Sequence, residues 1–327
     1  MSTILYTPAY HTSPGTQSRV DLIRKSLEMT GYKTVLITGR ESPLQKIYHK
    51  IGERLLTKES VWKAIGKLIS KPIIKQKPKN AILFIDISAS AIPYLKKHNI
   101  NTILSIEDLT PEYKNYNPKA SGKFYQILIK HAEQADAIIT PSYTLSKRLE
   151  HLSLKAIPVP IGLEPHVSLK EALVRPRPPT LLHAGQLNTQ RQLKTLLSLA
   201  DKYKLLVHNF GKIVNKLNHP NIEKYRKPTA EEAIDTAKWA HLGLILEHRK
   251  AYTLSRLYFH TSLLQPIIAE GKGPWTEEAH YLGMKLHPLE AIEKIVEDYE
   301  RHVKECAQVQ KKLSIPHIHR PLLSLLQ

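Results

Sequence analysis

The feature that most constrains the fold is a regular alternation of short apolar runs with amphipathic stretches. Apolar runs of strand length occur at Ile4–Tyr6, Thr34–Thr38, Ala81–Ile85, Thr102–Ile106 and Ala137–Thr140. Segments with helical periodicity lie between them, beginning with Ser18–Thr30, which we expect Gly31 to end. Strands joined by helices form parallel sheets with helices on both faces. The alternation therefore predicts an α/β fold.

The alternation is interrupted once, over Ile157–Pro179, where the sequence reads "IPVPIGLEP" and "VRPRPPT". Proline lacks a backbone N–H and ends helices and central strands, so we interpret this stretch as a linker, although a strand is expected to run into Gly162 at its start. The pattern then resumes, with predicted strands at Leu181–His183, Leu205–His208, Leu242–Leu246 and Pro266–Ala269, and with predicted helices at Gln190–Tyr203, Ala230–Ala240, Leu254–Leu264, Leu289–Leu313 and Pro321–Leu326.

A chain of 327 residues is long enough for two domains of ordinary size. We predict two Rossmann-like lobes with an interdomain cleft. The N-terminal lobe is expected over 1–165 and the C-terminal lobe over 178–302. We expect the C-terminal helices of 303–327 to pack back toward the N-terminal lobe. Ligands of open α/β sheets bind at the carboxyl ends of the strands, which favours an enzyme with two substrates over a two-domain binding protein.

The charge is strongly basic, because 48 Lys and Arg oppose 29 Asp and Glu and give a formal net charge of +19. This favours anionic partners, such as phosphorylated small molecules, nucleic acid or an acidic membrane face. The single cysteine, Cys306, forms no intrachain disulfide. The N-terminus does not resemble a signal peptide, and no apolar run reaches the length of a membrane span. We therefore expect a cytoplasmic protein.

Part of this charge is concentrated in the basic segment 45–79. Nine of its basic residues form two sets that recur every four positions, which places each set along one side of a helix. They are Lys46, Lys50, Arg54 and Lys58, followed by Lys63, Lys67, Lys71, Lys75 and Lys79. Three interpretations stay open: a solvated face of an amphipathic helix pair, docking to an anionic membrane, and nucleic-acid binding. The second would make the protein peripheral at the inner membrane face.

Several strong catalytic motifs do not occur in the sequence. It has no P-loop, no GxGxxG after the first strand, no HExxH, no CxxC and no GxSxG. A subtler candidate is "TLLHAGQLNTQRQL" (180–193), in which a strand ends at Gly185 and a polar loop opens a helix near Arg191. The N–H groups and dipole of a helix N-terminus, together with an arginine, suit a phosphate. Arg256 near the start of a later helix suits a second phosphate, and Glu270 after the next strand suits sugar or ribose hydroxyls.

Three ordered motifs now support a resemblance to a known family. They are "ADAIITPS" (135–142), in which Ser142 is placed to cap a helix, "HAGQLNTQR" (183–191) and "RLYFHTSLLQPII" (256–268). The set resembles the GT-B glycosyltransferases that use nucleotide sugars. In particular it resembles the large retaining group with "ADxIIxxS", "vGRLxxxKG"-like and "KLxxxLaxGxPVI" motifs, and a compact bacterial subgroup that glycosylates proteins or polysaccharides.

The resemblance implies a set of donor-binding residues in the C-terminal lobe. Gly185 matches the glycine of the first donor loop, Gln186 stands where the family usually has arginine, and Arg191 stands where it has lysine. Arg256 falls at the lysine of "KL", while Leu264 and Gln265 replace a small residue and a glycine, so we expect the packing there to differ.

Four further donor residues follow from the same resemblance. "EKYRKP" (223–228), with Tyr225, resembles a loop that covers the donor base. The family's carboxylate pair is not obvious in this sequence. Glu247 and Glu270, with Gly271 following the second of them, are the nearest candidates.

The resemblance also implies acceptor-side residues in the N-terminal lobe. "ILSIEDLTPEY" (103–113) resembles "xxxxHDxxP", with Glu107 in place of histidine and Asp108 retained. These carboxylates are candidates for catalysis as a general base, or for a helix cap or surface pair. The loop "HTSPGTQ" (11–17) is expected to contact an acceptor or a phosphate through Gly15 and Thr16.

Taken together, the resemblance implies transfer of a hexose-type sugar from a nucleotide diphosphate sugar to a hydroxyl of a glycan, lipid or protein. No cofactor and no metal are expected, because cationic side chains and helix dipoles would stabilise the leaving diphosphate. Two alternatives stay open. In the first, the chain is a non-catalytic protein that keeps this fold, and Gln186 and Glu107 mark a site that has lost the family's usual residues. In the second, it is a basic nucleic-acid-binding protein.

Overall fold

The computed structural model describes residues 2–7, 14–38, 53–113, 115–175, 179–209, 212–226, 228–247, 251–252 and 254–327. The chain divides into two compact units. Unit 1 comprises residues 1–162 and 315–327, and unit 2 comprises residues 163–314. The boundary therefore lies within the proline-rich stretch, and the predicted C-terminal region 303–327 is divided between the units at Ser314 and Ile315.

Unit 1 contains a six-stranded parallel sheet in the order β2-β1-β3-β4-β5-β6. The strands are β1 (Ser2–Thr7), β2 (Lys33–Thr38), β3 (Asn80–Phe84), β4 (Asn101–Ser105), β5 (Ala137–Thr140) and β6 (Ile157–Pro158). The α-helices are α1 (Pro14–Met29), α2 (Glu53–Leu56), α3 (Glu59–Lys75), α4 (Ile92–Lys96), α5 (Thr110–Tyr113), α6 (Pro118–Ala132) and α7 (Tyr143–Glu150), with α15 described below.

The central strands of this sheet are apolar throughout because helices cover both of their faces. Every residue of β3 is buried, as are five of the six residues of β1. Helix α3 packs through Trp62, whose ring contacts Phe124 of α6 with a centroid separation of 5.3 Å. Ser142 caps α7 by accepting the N–H of Leu145 at 2.9 Å, which confirms the predicted cap.

Unit 2 contains a second six-stranded parallel sheet, in the order β12-β11-β10-β7-β8-β9. Its strands are β7 (Thr180–Ala184), β8 (Lys204–Asn209), β9 (Ile222–Arg226), β10 (Leu242–Leu246), β11 (Ile267–Glu270) and β12 (Leu286–His287). Its α-helices are α8 (Leu169–Leu173), α9 (Gln190–Ala200), α10 (Ala230–Ala237), α11 (Ser255–Ser262), α12 (Pro274–Tyr281), α13 (Ile292–Glu297) and α14 (Tyr299–Leu313).

Two hydrophobic clusters cover the two faces of the second sheet. Leu181 belongs to one cluster with Leu193 of α9, whereas its neighbour Leu182 belongs to the other with Leu263. Successive residues of a strand point to opposite faces, so a continuous apolar strand supplies both clusters. The predicted α/β fold with two Rossmann-like lobes is confirmed in each unit.

Four local predictions differ from the structure. The predicted helix Leu289–Leu313 is a 3₁₀ turn followed by α13 and α14, because Asp298, at φ −109° and ψ 36°, interrupts the helical conformation. Glu223–Arg226 of "EKYRKP" do not form a loop, since they belong to the edge strand Ile222–Arg226, which pairs with β8. The proline-rich stretch is not a bare linker, because besides β6, the strand that was expected to run into Gly162 and that ends at Pro158, it contains the capped helix α8. The fourth difference, at Gly15 and Thr16, is described with the site.

The last described residues return to unit 1 as a 3₁₀ turn and helix α15 (Arg320–Leu325). His319 anchors this segment, because its Nδ1 lies 2.7 Å from Ser26 Oγ and its Nε2 lies 3.0 Å from the carbonyl of Ile161. A carbonyl only accepts hydrogen bonds, so Nε2 carries the proton and Nδ1 accepts from Ser26. The full burial of His319 lowers its pKa to about 4.

None of the helices in the described ranges combines the length and the apolar character that a bilayer crossing requires.

Candidate functional site

The carboxyl edge of the second sheet brings three of the predicted donor residues together. Gly185 follows β7, Glu247 follows the adjacent strand β10, and Arg256 lies in the first turn of α11. Nη2 of Arg256 donates to Oε2 of Glu247 at 2.5 Å. Both side chains are largely buried, with 12% and 3% of their surface exposed. We call Gly185, Glu247 and Arg256 the arginine cluster.

Gly185 is required in this cluster for two reasons. Its φ of +139° lies in a region that side chains rarely adopt. A Cβ at this position would also lie 2.9 Å from Cδ and 3.0 Å from Nη1 of Arg256. The arginine therefore packs against the bare backbone at the end of β7, and its guanidinium is held on one side by Glu247.

Two buried histidines lie near the arginine cluster and are uncharged at neutral pH. Burial, together with the positive charge of Arg256, lowers the pKa of His183 to about 3 and that of His260 to about 4. Nδ1 of His183 donates to the carbonyl of Leu244 at 3.3 Å. Because these two rings stay neutral, Arg256 is the positively charged member of this group of three side chains.

Gln265 explains how this unit packs without the glycine and small residue of the family pattern. Its amide nitrogen donates to the carbonyls of Ala237 and Ala240, at 2.8 and 3.1 Å, so its Oε1 accepts from Nδ1 of His260 at 2.8 Å. The preceding Leu264 adopts φ +53° with a fully buried side chain. A network of side-chain hydrogen bonds therefore joins Gln265 to His260 and to the end of α10, while the difference from the family's packing stays a prediction.

Arg191 and Glu270 form a second pair beside the arginine cluster. Arg191, in the first turn of α9, donates to Oε1 of Glu270 from Nε at 2.8 Å and from Nη2 at 2.5 Å. Thr195 donates to the other carboxylate oxygen at 3.1 Å. Glu247 is close by, because its N–H donates to the carbonyl of Glu270 at 3.0 Å. The Arg191 side chain is 66% exposed, so this pair is accessible to a competing anion.

The remaining predicted donor residues lie apart from one another. Gln186 is exposed in the loop before α9. Gly271 follows β11 with φ +123° and lines an open cavity of about 990 Å³. Tyr225 lies in the edge strand β9, separated from β7 by β8, and its hydroxyl donates to Glu223. Burial and this bond raise the pKa of Tyr225 to about 12.

In unit 1, Glu107 follows β4 and is held by a buried arginine that sequence analysis missed. Nε of Arg19 donates to Oε1 of Glu107 at 2.9 Å, and the hydroxyl of Ser105 donates to the same oxygen at 2.6 Å. Arg19 is fully buried and also donates to the carbonyl of Val159 at 2.5 Å. Glu107 thus joins α1 to the end of β4, whereas its neighbour Asp108 is exposed.

The placement of Gly15 and Thr16 in a loop is wrong. Helix α1 begins at Pro14, so both residues lie in its first turn. Proline is favoured at the first position of a helix, since its missing N–H has no partner there and its φ is already helical. Residues 11–13 of the same motif lie outside the described residues.

The described residues contain no group of three or more His, Cys, Asp or Glu side chains that could hold a metal ion. The expectation that no metal is used stays a prediction.

Comparisons with known proteins give matches at the level of structure alone. No protein-family model matches the sequence, and no curated protein matches it. Sucrose-phosphate synthase from Thermosynechococcus elongatus superposes with a TM-score of 0.70 at 14% identity, covering 100% of this chain and 98% of that one. A glycosyltransferase from Rickettsia africae gives 0.64 at 12% identity, covering 100% and 98%. Anabaena HepE, solved in complex with UDP, gives 0.67 at 9% identity, covering 100% and 99%.

These similarities cover both units over their full length. They confirm the resemblance to GT-B glycosyltransferases as a resemblance of fold. At such low identities they do not transfer the function of any residue, so the donor and acceptor residues stay predictions.

Proposed function

We propose that the protein transfers a hexose-type sugar from a nucleotide diphosphate sugar to a hydroxyl group of a glycan, lipid or protein. The observation that carries this proposal is the arginine cluster, because a buried guanidinium beside a bare glycine backbone suits a phosphate group. The fold adds support, since it is shared with a protein named as a glycosyltransferase and with one solved in complex with UDP.

Arg256 is proposed to bind the diphosphate and to stabilise the charge that develops on it as the sugar leaves. Its partner Glu247 holds the guanidinium in place before the donor binds, so little reorganisation accompanies the reaction. Arg191 is proposed to add a second contact by exchanging Glu270 for a phosphate oxygen, because an exposed ion pair contributes only about 0–1 kcal/mol. On this proposal no metal is needed.

On the acceptor side, the two candidate carboxylates differ in what they can do. Glu107 accepts hydrogen bonds from Arg19 and Ser105, which favours a positioning role. Asp108 is exposed at the end of β4 and is the better candidate for a general base toward an acceptor hydroxyl.

The test is a titration with UDP and a panel of UDP-hexoses, followed by a measurement of UDP release with candidate acceptors. We expect UDP to bind and to raise the melting temperature by mass action. Replacing Arg256 with Gln removes a charged hydrogen bond of about 1.5–3 kcal/mol, so the affinity for UDP should fall by about 10- to 150-fold. The matched control is Arg301→Gln, which removes the same charge from an exposed pair with Asp298 in unit 2.

If Arg256→Gln does not fold, Arg191→Gln provides the second variant, since that side chain is exposed and its loss should leave the fold intact. The proposal is wrong if no nucleotide binds, or if both arginine variants bind UDP as tightly as Arg301→Gln does. Binding of UDP-hexoses without UDP release would support the non-catalytic alternative instead.

A further inference from the structure

The solvent side of helix α3 carries a row of four lysines, which we call the lysine row. It consists of Lys63, Lys67, Lys71 and Lys75, all of which are exposed. At 100° per residue, these positions span an arc of roughly 120°. The buried residues lie on the opposite arc and are Trp62, Ile65, Gly66, Ile69, Ser70 and Ile73. The orientation of the helix is therefore fixed by its core side, and the lysines are held outward.

Charge on this row is balanced only at its first member. Lys63 lies 3.7 Å from Glu59, and that carboxylate is shared with Lys130 at 2.6 Å. Within the described ranges, no ion pair involves Lys67, Lys71 or Lys75. Among the described residues, Lys67, Lys71 and Lys75 thus present adjacent positive charges without counter-charges over about two helical turns.

The row does not stabilise the helix that carries it. Like charges at i and i+4 destabilise an isolated helix, and the row contains this spacing from Lys63 to Lys75 without interruption. The packing of Trp62 against Phe124 and His131 holds the helix instead. An anionic surface along the row would attract each lysine and so offset the repulsion between them.

The composition of the exposed side distinguishes between kinds of anionic surface. Leu68 is 39% exposed and lies beside the row, close in angle to Lys75. No aromatic ring is exposed on α3 to stack against a base, because Trp62 is fully buried. Lysines beside an exposed aliphatic side chain suit the interface of a bilayer, where the long stems lie along apolar surface and the ammonium groups reach the headgroups.

We propose that the lysine row docks the protein on a bilayer surface rich in anionic phospholipids. Docking requires no spanning helix, and it is independent of the sugar-transfer reaction proposed above. Each lysine near an anionic leaflet contributes roughly a fivefold increase in partitioning, so three lysines contribute on the order of 100-fold at moderate salt. The attraction should weaken as ionic strength rises.

The experiment is co-sedimentation of the full chain with vesicles of phosphatidylcholine alone or mixed with phosphatidylglycerol. The test variant carries Lys67→Gln, Lys71→Gln and Lys75→Gln, and glutamine keeps a similar helix propensity. The control variant carries Lys202→Gln, Lys294→Gln and Lys311→Gln, which are exposed in unit 2, so the two variants have the same net charge. Thermal melts check that both variants fold.

We expect the wild type and the control to bind mixed vesicles, to bind neutral vesicles weakly, and to dissociate as salt is added. The test variant should lose binding by roughly 100-fold. Equal loss in both variants would show that net charge alone is responsible and would overturn the proposal. The proposal is also overturned if mixed vesicles do not bind the wild type while an oligonucleotide binds it through these lysines.

Discussion

Substituting Gly185 with alanine tests the arginine cluster more sharply than removing a charge. The new Cβ would lie 2.9 Å from Cδ of Arg256, closer than real Cβ contacts occur, and 3.0 Å from its Nη1, which is tighter than most such contacts. The Arg256 side chain must move by about half an ångström to restore an ordinary van der Waals distance from the new Cβ. The guanidinium is tied to Glu247 at 2.5 Å, so this movement is expected to displace the group proposed to meet the phosphate.

The substitution has two separable consequences. A side chain at φ +139° strains the backbone by about 1–3 kcal/mol, which lowers the free energy of unfolding. Displacement of Arg256 is expected to weaken its charged hydrogen bond to UDP, worth about 1.5–3 kcal/mol, and to reduce affinity by about 10- to 150-fold. Urea denaturation measures the first effect, and calorimetric titration with UDP measures the second.

Gly283→Ala is the matched control. Gly283 lies in the same unit with φ +77°, and a Cβ there would meet nothing within 4 Å. It should lose comparable stability and keep the affinity for UDP. The reasoning is refuted if Gly185→Ala binds UDP as tightly as Gly283→Ala, because the contact with Arg256 would then have no effect on the phosphate site.

Two further predictions concern stability. Arg175 is buried and donates to the carbonyl of Lys238 at 2.9 Å and to the hydroxyl of Tyr299 at 2.7 Å. We expect Arg175→Ala to lower the free energy of unfolding by about 3 kcal/mol or more in urea denaturation, because the buried acceptors lose their donor; an effect as small as that of Arg301→Ala would contradict this. The second prediction concerns acid. His319 has a folded pKa of about 4, below its unfolded value, so the unfolded state binds more protons between about pH 6.5 and 4. The contribution of His319 to the free energy of unfolding is therefore fully present above that window. It is lost as the pH falls through the window, at up to about 1.4 kcal/mol per pH unit. The free energy of unfolding, measured by urea denaturation at several pH values in this window, should depend less steeply on pH for His319→Gln than for the wild type. An unchanged dependence on pH would refute the assignment.

The sequence was sufficient to predict the order and type of most elements, because buried parallel strands and the amphipathic helices between them leave strong periodic signals. Edge strands were less predictable than the central strands of the sheets. β9 is an edge strand whose polar sequence resembles a loop, and only its pairing with β8 makes it a strand. Likewise, the break between α13 and α14 results from the backbone angles of the single residue Asp298, which periodicity does not reveal.

Of the candidate site, the sequence indicated which residues lie at the ends of strands and starts of helices, but not which of them pair. Gly185, Glu247 and Arg256 were each singled out, whereas their mutual contact depends on β7 and β10 being neighbours. Arg19 was missed although a signal existed. It occupies the first position of the spacing Arg19, Ile23, Leu27, and a charged residue on a buried stripe of a helix requires a buried partner.

Unit 2 is an insertion within unit 1, since the chain enters it at Leu163 and leaves it at Ser314. These two residues form a parallel bridge, and the N–H of Leu163 donates to the carbonyl of Leu313 at 3.0 Å. During synthesis, the ribosome must complete all of unit 2 before His319 can reach Ser26. All residues of unit 2 have therefore been synthesised while unit 1 still lacks α15. Synthesis of unit 1 begins first, yet unit 1 is completed after unit 2.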